Sequence, residues 1–179
     1  MTELTHRKGR DKSPPAVAAR MLILLRHAKS DWSGNPPDLD RPLSKRGRRQ
    51  APEAGQWLAA NIEGIDLAVV SNANRARVTW ELVSTTLEQP QPSRVEPRLY
   101  DADAADLLAV LHGLSDDIHT VILVGHNPGL ENLATLLTDH PVRLPTAALA
   151  VIELPAAAPW ADVHASTGVL RGAGRPPTL

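Results

Sequence analysis

Arginine and histidine residues follow three short apolar segments of this chain at close distance. A neutral imidazole is a good nucleophile toward phosphorus. Guanidinium groups bind phosphate oxygens through paired hydrogen bonds and neutralise their charge. Because preorganised positive charge is the usual source of rate in phosphoryl transfer, these residue types together favour that chemistry. The four residues are Arg26, His27, Arg75 and His126.

None of these four residues is diagnostic by itself. Arg26 and His27 could form a polar strand end, Arg75 could be a solvated residue that opens a helix, and His126 could sit in a turn. Their shared position gives them weight, since each follows an apolar segment. Ligands of open α/β sheets bind beyond the carboxyl ends of the strands. We therefore predict that the four side chains meet at one edge of a sheet.

The apolar segments have the length and composition of buried parallel strands. Helical patterns alternate with them, the first with Ser44 as its cap and the last with Asn127 as its cap. Pro52 opposes a continuous first helix. This alternation predicts a three-layer α/β fold, with a mostly parallel central sheet and helices on both faces. The predicted strands are 21–25, 67–70, 121–124, 147–154 and an edge strand over 160–165; the predicted helices are 44–62, 75–87, 104–114 and 128–137.

Length and composition indicate one globular domain. The 179 residues are 42% hydrophobic and 22% charged, with neither a transmembrane-length apolar run nor the apolar core of a signal peptide. We expect a single domain over residues 21–170. Residues 1–20 are polar and basic, which favours a disordered extension or a true start at Met21. We expect a loose tail over residues 171–179, which are rich in Gly and Pro.

Charge and cysteine content exclude several functions. The net charge of −1 gives no basic field for nucleic acid or a membrane surface. The chain has no Cys, which excludes disulfides and thiolate chemistry and fits a cytoplasmic protein. His112, His119 and His126 are seven residues apart but fall on different predicted elements, and no His-Glu-x-x-His pattern occurs. We expect neither a metal nor a cofactor.

Four segments, taken in order, resemble the motifs of the histidine phosphatase superfamily. Leu-Arg-His-Ala-Lys-Ser at 25–30 is similar to its Arg-His-Gly signature, and Asp-Arg-Pro-Leu-Ser-x-x-Gly occupies 40–47. Ser-x-Ala-x-Arg-Ala-x-x-Thr-x-Glu occupies 71–81, and Val-Gly-His-Asn-Pro occupies 124–128. The wording of the first and last segments resembles the small SixA-type phosphohistidine phosphatases.

This resemblance implies a phosphoglycerate-mutase-like α/β fold and a phosphatase that needs no metal. His27 would be the nucleophile, and Arg26, Arg75 and His126 would line the phosphate pocket. The substrate would be a phosphorylated protein carrying phosphohistidine, or a small phosphate ester. We expect a monomer or a weak dimer.

Several assignments stay open at this point. Asp101 or Asp103 could protonate a leaving group, or both could cap the helix that follows. Ser30 could donate to phosphate or be a solvated loop residue. Trp32 could wall the mouth of the site or pack against the protein. Arg77 falls two residues beyond the matching arginine, so we leave it outside the pocket.

Three other functions compete with a phosphohistidine phosphatase. The first is a broad-specificity phosphomonoesterase that acts on small molecules. The second is a mutase, which would need a lid to protect its intermediate, and the short chain argues against one. The third is a non-catalytic phosphate-binding module, which would keep Arg26 and Arg75 but would not need His27.

Overall fold

Strands and helices alternate along the chain as expected. The computed structural model describes residues 19–156 and 158–176. Within these ranges, none of the helices has the length and apolar character needed to cross a membrane. The strands are Arg20–Arg26 (β1), Leu67–Val70 (β2), Ser93–Val95 (β3), Thr120–Gly125 (β4), Leu149–Leu154 (β5) and Val169–Gly174 (β6), and the α-helices are Lys45–Asn61 (α1), Asn74–Ser84 (α2), Ala104–His112 (α3) and Gly129–Thr138 (α4).

All six strands form one sheet in the order β3-β2-β4-β1-β5-β6. Strands β1, β2, β3 and β4 run parallel to one another, whereas β5 runs antiparallel to β1 and β6 antiparallel to β5. Helices cover both faces of this sheet. The predicted three-layer α/β fold is therefore confirmed.

Strand β1 explains why the central strands are apolar along their whole length. Leu22 and Leu24 belong to the core that α3 and α4 cover, and Ile23 and Leu25 belong to the core that α1 and α2 cover. All four side chains are fully buried. Each such burial contributes about 1.5–3 kcal/mol relative to exposure. A polar residue at any of these positions would enter one core or the other.

Helix α1 is continuous through Pro52, contrary to the interruption that a proline suggests. Ser44 caps the helix by accepting a hydrogen bond from the Gly47 N–H. Ala51, Ala54 and Leu58 bury one face of the helix against the sheet. This packing and the cap offset the hydrogen bond that proline cannot make.

The C-terminal edge of the sheet differs from the prediction. No strand covers 160–165, where Trp160–Asp162 forms a turn of 3-10 helix and the Trp160 indole is fully buried. The edge strand is instead β6, which includes residues 171–174 of the expected loose tail. Because β6 contains Gly and Ala where a buried strand would have large apolar residues, its sequence does not predict a strand. Pairing with β5 stabilises it. Strand β3 was not predicted either.

The expected N-terminal extension lies almost wholly outside the described residues. The exception is its last part, where Arg20 already belongs to β1. The Arg20 guanidinium is buried and donates to the carbonyl oxygens of Ile118 and Ala158. The sheet therefore begins one residue before the predicted domain start.

The loop after β1 leaves the sheet and returns to it within a short distance. Ser30 and Leu43 form an isolated antiparallel bridge, and the Asp31 N–H donates to the Pro42 carbonyl oxygen at 2.8 Å. We call residues 31–42, between these two contacts, the mouth loop. The Ser30–Leu43 bridge and the hydrogen bond from Asp31 to Pro42 hold the two ends of this loop together.

Gly47 lets α1 approach the loop that follows β1. A Cβ at this position would lie 2.1 Å from the Lys29 carbonyl oxygen, which also accepts from the Ser44 N–H. We expect Gly47→Ala to lower the free energy of unfolding by about 1–3 kcal/mol, because backbone must shift to make room. Urea denaturation measures this. The matched control is Gly64→Ala, where a Cβ meets nothing within 4 Å; equal stability of the two variants would contradict the close approach.

Candidate active site

The parallel register brings the predicted residues to one edge of the sheet. Arg26 lies opposite Gly125, and Val70 lies opposite Val124. The His27 N–H donates to the Gly125 carbonyl oxygen at 3.0 Å, just beyond the strands. The imidazole rings of His27 and His126 have their centroids 5.1 Å apart.

The environment of His27 fixes its protonation. Its side chain is 8% exposed, and its Nδ1 lies 2.8 Å from the Ala28 carbonyl oxygen. A carbonyl oxygen can only accept, so Nδ1 carries the hydrogen and Nε2 keeps a lone pair. Burial lowers the pKa of His27 to about 3, and the neighbouring His126 and arginines act in the same direction. The ring is therefore neutral at pH 7.

A threonine of the second motif anchors the loop that carries His27. The Ala28 N–H donates to Thr79 Oγ1 at 2.9 Å, and this hydroxyl donates to the Arg75 carbonyl oxygen at 2.6 Å. Thr79 and Ala28 are fully buried. The loop after β1 and the helix that carries Arg75 are thus tied together through one side chain.

Asp38 joins three side chains at the centre of the site. Arg75 Nη2 and the Tyr100 hydroxyl both donate to its Oδ2, at 3.0 and 2.8 Å. Arg41 Nη2 donates to its Oδ1 at 2.9 Å. Desolvation acts to raise the pKa of Asp38, but the Tyr100 hydroxyl and the two arginines hold it below its usual value. The carboxylate is therefore ionised at neutral pH.

Sequence reasoning missed Asp38, Arg41 and Tyr100 as parts of this site. Arg41 is 7% exposed and donates through Nη1 to Ser30 Oγ at 2.8 Å. Its place in the matched Asp-Arg-Pro-Leu-Ser segment was a usable signal. Asp38 and Tyr100 carried none, since they belong to a 3-10 turn and a loop.

His126 faces His27 across the site. Its Nε2 lies 2.8 Å from Ser71 Oγ, and the Tyr100 ring meets it edge to face at 5.7 Å. Burial, followed by the charge of Arg75, lowers the pKa of His126 to about 4. If the Ser71 hydroxyl donates to Nε2, Nδ1 carries the hydrogen and can donate into the site.

Arg26 and Asn127 share one acceptor. Arg26 Nη1 and Asn127 Nδ2 each donate to the Leu144 carbonyl oxygen at 2.9 Å. The prediction that Asn127 caps α4 is therefore wrong. That position is held by Pro128, which makes no capping hydrogen bond through its side chain.

Buried polar atoms without a hydrogen-bond partner gather at this edge of the sheet. A buried donor without an acceptor is costly, and such atoms are uncommon in folded proteins. Several such donors at one sheet edge suit an oxyanion, which can accept from more than one of them. Within the described ranges, the donors of this kind are the Nε of Arg26, Arg41 and Arg75, joined by Nδ1 of His126 where it carries the hydrogen. The side-chain oxygens of Asn72 and Asn127 are also without a partner there, but these are acceptors.

The remaining predicted residues fall in different places. Ser30 is buried and accepts from Arg41, so it holds that guanidinium in place. Asp103 caps α3 in a capping box with Asp106, so for this residue the helix-cap alternative is confirmed. Asp101 is exposed and adopts a left-handed backbone conformation with φ of 53°. Arg77 lines a separate cavity beside β3.

The evenly spaced histidines do not converge. His112 Nε2 lies 2.7 Å from the Val163 carbonyl oxygen, whereas His126 Nε2 lies 2.8 Å from Ser71 Oγ, so the two imidazoles have different partners. Among the residues that the structure describes, no group of three or more His, Cys, Asp or Glu side chains could hold a metal ion.

Comparison with known proteins identifies the family. The model of the histidine phosphatase superfamily (branch 1) matches residues 22–112. An uncharacterized protein of Mycobacterium tuberculosis is 36% identical over 159 residues, 83% of this chain and 97% of the relative. A provisionally assigned phosphohistidine phosphatase SixA from Nakamurella multipartitia has a solved structure with a TM-score of 0.79 and 27% identity, covering 89% of this chain and 98% of that one.

The fold is also that of the protein histidine phosphatase SixA solved with tungstate, with a TM-score of 0.74 and 24% identity over 87% of this chain and 97% of that one. The chain belongs to the histidine phosphatase superfamily. It is a member of the SixA type, and its enzyme class is that of a phosphatase, as the motifs indicated.

The low pKa of His27 predicts a loss of stability in acid. The imidazole is neutral in the folded protein down to a pKa of about 3, whereas the unfolded chain takes up a proton below about 6.5. Stability therefore falls as the pH drops from about 6.5 toward 3. Urea unfolding at pH 7 and pH 5 should show that His27→Gln removes about 2 kcal/mol of the wild-type loss. The exposed His164→Gln is the control, and an equal effect of both variants would contradict the buried neutral ring.

Because Asp38 forms ion pairs with both Arg75 and Arg41, we predict that its charge positions these two guanidinium groups. Asp38→Asn keeps the shape of the side chain but removes the charge that orients Arg75 and Arg41. We expect kcat/KM to fall about tenfold or more, since small displacements of binding groups are costly in rate. Steady-state kinetics with an aryl phosphate measures this, and the exposed Asp162→Asn is the matched control. Unchanged kcat/KM in Asp38→Asn would show that the two arginines hold their positions without it.

Proposed function

We propose that this phosphatase hydrolyses protein phosphohistidine without a metal, through a phosphohistidine intermediate on His27. The observation that carries the proposal is the hydrogen bond between His27 Nδ1 and the Ala28 carbonyl oxygen. It places the hydrogen on Nδ1 and leaves Nε2 free as a nucleophile. Burial keeps the ring neutral, so no base is needed to activate it.

The reaction would proceed in two displacements. His27 Nε2 attacks phosphorus, the bond from phosphorus to the leaving imidazole nitrogen breaks, and the leaving ring takes a proton from water. Water then attacks phosphorus on His27, the bond from phosphorus to Nε2 breaks, and inorganic phosphate and the neutral ring are released. The proton that this water loses neutralises the hydroxide left when the leaving ring was protonated. The buried donors of Arg26, Arg75 and His126 would hold the three phosphoryl oxygens in both steps, with Arg41 beside them.

Positive charge within the site supports turnover without a metal. Three arginines, Arg26, Arg41 and Arg75, each have a buried Nε–H without a partner in the described part of the chain, although Arg26 as a whole is only half-buried. Asp38 balances only part of this charge. An incoming phosphoryl group would meet a surplus of fixed donors, and such preorganised charge can supply the stabilisation that a cation gives in other phosphotransferases.

The carboxylates near the site support phosphohistidine over an alkyl ester. Asp38 is held ionised, Asp103 is occupied as a helix cap, and Asp101 is exposed. The ionised Asp38 and the capping Asp103 are therefore poor proton donors, and Asp101 has no side-chain hydrogen bond or ion pair among the described residues that would orient it as one. An alkoxide leaving group needs such a donor, whereas imidazole leaves more readily. The name of the Nakamurella structure, a provisionally assigned phosphohistidine phosphatase, supports the same substrate class.

Trapping the intermediate tests the mechanism. The protein is incubated with radiolabelled phosphoramidate and a chelator, quenched, and examined for an acid-labile, base-stable phosphoprotein. We expect label on the wild type and on the exposed His119→Ala control, with none on His27→Ala, and turnover that the chelator leaves unchanged. Equal labelling of His27→Ala and wild type, or turnover abolished by the chelator, would overturn the mechanism.

Comparing substrates tests the substrate class. We expect kcat/KM to be highest for a protein that carries phosphohistidine, lower for aryl phosphates, and lowest for sugar phosphates, because the leaving groups become poorer in that order. A preference for sugar phosphates would reject the phosphohistidine assignment and leave the nucleophilic role of His27 intact.

A further inference from the structure

Trp32 is an exposed indole at the mouth of the site. Its relative exposure is 72%, whereas Trp80 and Trp160 are buried and Trp57 is half-buried. Exposing so large an apolar side chain is unfavourable in water. Trp32 lies in the mouth loop, five residues after His27. Its position and exposure call for a reason other than packing of the core.

One face of this indole is held in place. The Arg41 guanidinium carbon lies 3.6 Å from the ring centroid, which is a close cation–π contact. Arg41 is itself buried and fixed by hydrogen bonds to Asp38 and Ser30. An exposed ring that stacks on a fixed cation is oriented in advance, so a ligand that binds it loses little additional entropy.

The indole also borders a cavity of about 100 Å³. Its lining consists of Trp32, Asn35, Pro36, Asp38 and Arg41. A volume of this size holds about three water molecules at ~30 Å³ each, which suits one small ring better than a bulky group. Asp38 and Arg41 form the wall that this cavity shares with the phosphate-binding donors.

A chain of side-chain contacts connects the indole of Trp32 to the phosphate-binding arginines. Arg75 contacts Asp38, Asp38 contacts Arg41, and Arg41 stacks on Trp32. A phosphoryl group held by the unpartnered Nε of Arg41 would lie beside the guanidinium on which Trp32 stacks. The part of the substrate beyond phosphorus would then be within reach of the indole.

We propose that the open face of Trp32 binds the planar ring of the leaving group, which for the proposed substrate is the imidazole of phosphohistidine. This inference rests on the proposed function and adds the element that recognises the group beyond phosphorus. Flat rings stack on an indole in offset or edge-to-face geometry, whereas ring-free groups gain nothing there. Trp32 thus selects for phosphoryl groups carried on a ring.

Two pairs of substrates separate ring recognition from phosphoryl transfer. Phosphoimidazole and phosphoramidate both have a P–N bond, but only the first carries a ring. p-Nitrophenyl phosphate and acetyl phosphate make the same comparison for P–O bonds. kcat/KM is the readout, because it reports the step in which the leaving group is still attached. The variants are Trp32→Ala and Trp32→Phe, and the control is Val169→Ala, an exposed apolar side chain on the far edge strand.

We expect Trp32→Ala to lower kcat/KM for phosphoimidazole about five- to tenfold, mainly through KM, the effect of one lost aromatic contact. Activity on phosphoramidate should stay within twofold, and Trp32→Phe and Val169→Ala should stay within twofold on both compounds. An equal loss on both compounds would mean that Trp32 acts only by holding Arg41, and no loss on either would mean that it binds nothing; both results overturn the inference. If the wild type hydrolyses the esters but neither P–N compound, the proposed function fails, and the ester pair decides the role of Trp32 by the same ratio.

Discussion

The backbone of Ala28 is the point on which the site depends. Its carbonyl oxygen accepts from His27 Nδ1, and its N–H donates to the Thr79 hydroxyl, which in turn holds the helix of Arg75. One residue therefore sets the tautomer of the candidate nucleophile and the distance to the arginine that faces it. The side chain of Ala28 is fully buried, so anything larger would separate the loop from α2.

Like charges must be held together at this edge of the sheet, and Asp38 makes that possible. Arg41 and Arg75 are almost completely buried, and each would be costly there without an anion. The Asp38 carboxylate bridges them and also accepts from Tyr100. It does not accept from their Nε–H groups, however, which have no partner among the residues that the structure describes. A phosphoryl group would supply the missing acceptors.

Much of the fold and of the site could be predicted because both depend on local patterns. Continuous apolar runs identified β1, β2 and β4, and their shared carboxyl edge placed His27, Arg75 and His126 together. The edge strands β3 and β6 could not be predicted, since pairing rather than apolar content stabilises them. Asp38 and Tyr100 are far apart in the chain and meet only through tertiary contact.

The bridge between Ser30 and Leu43 has a consequence for how this enzyme can diverge. Trp32, Asp38 and Arg41 all lie between those two residues, whose contacts close the mouth loop where it joins the sheet edge. Mutations within this excursion can alter substrate preference while the strand register and the nucleophile stay as they are. Grafting the corresponding loop of a relative between the same two anchor points would therefore have to keep Asp38 and Arg41, which hold the charge network of the site.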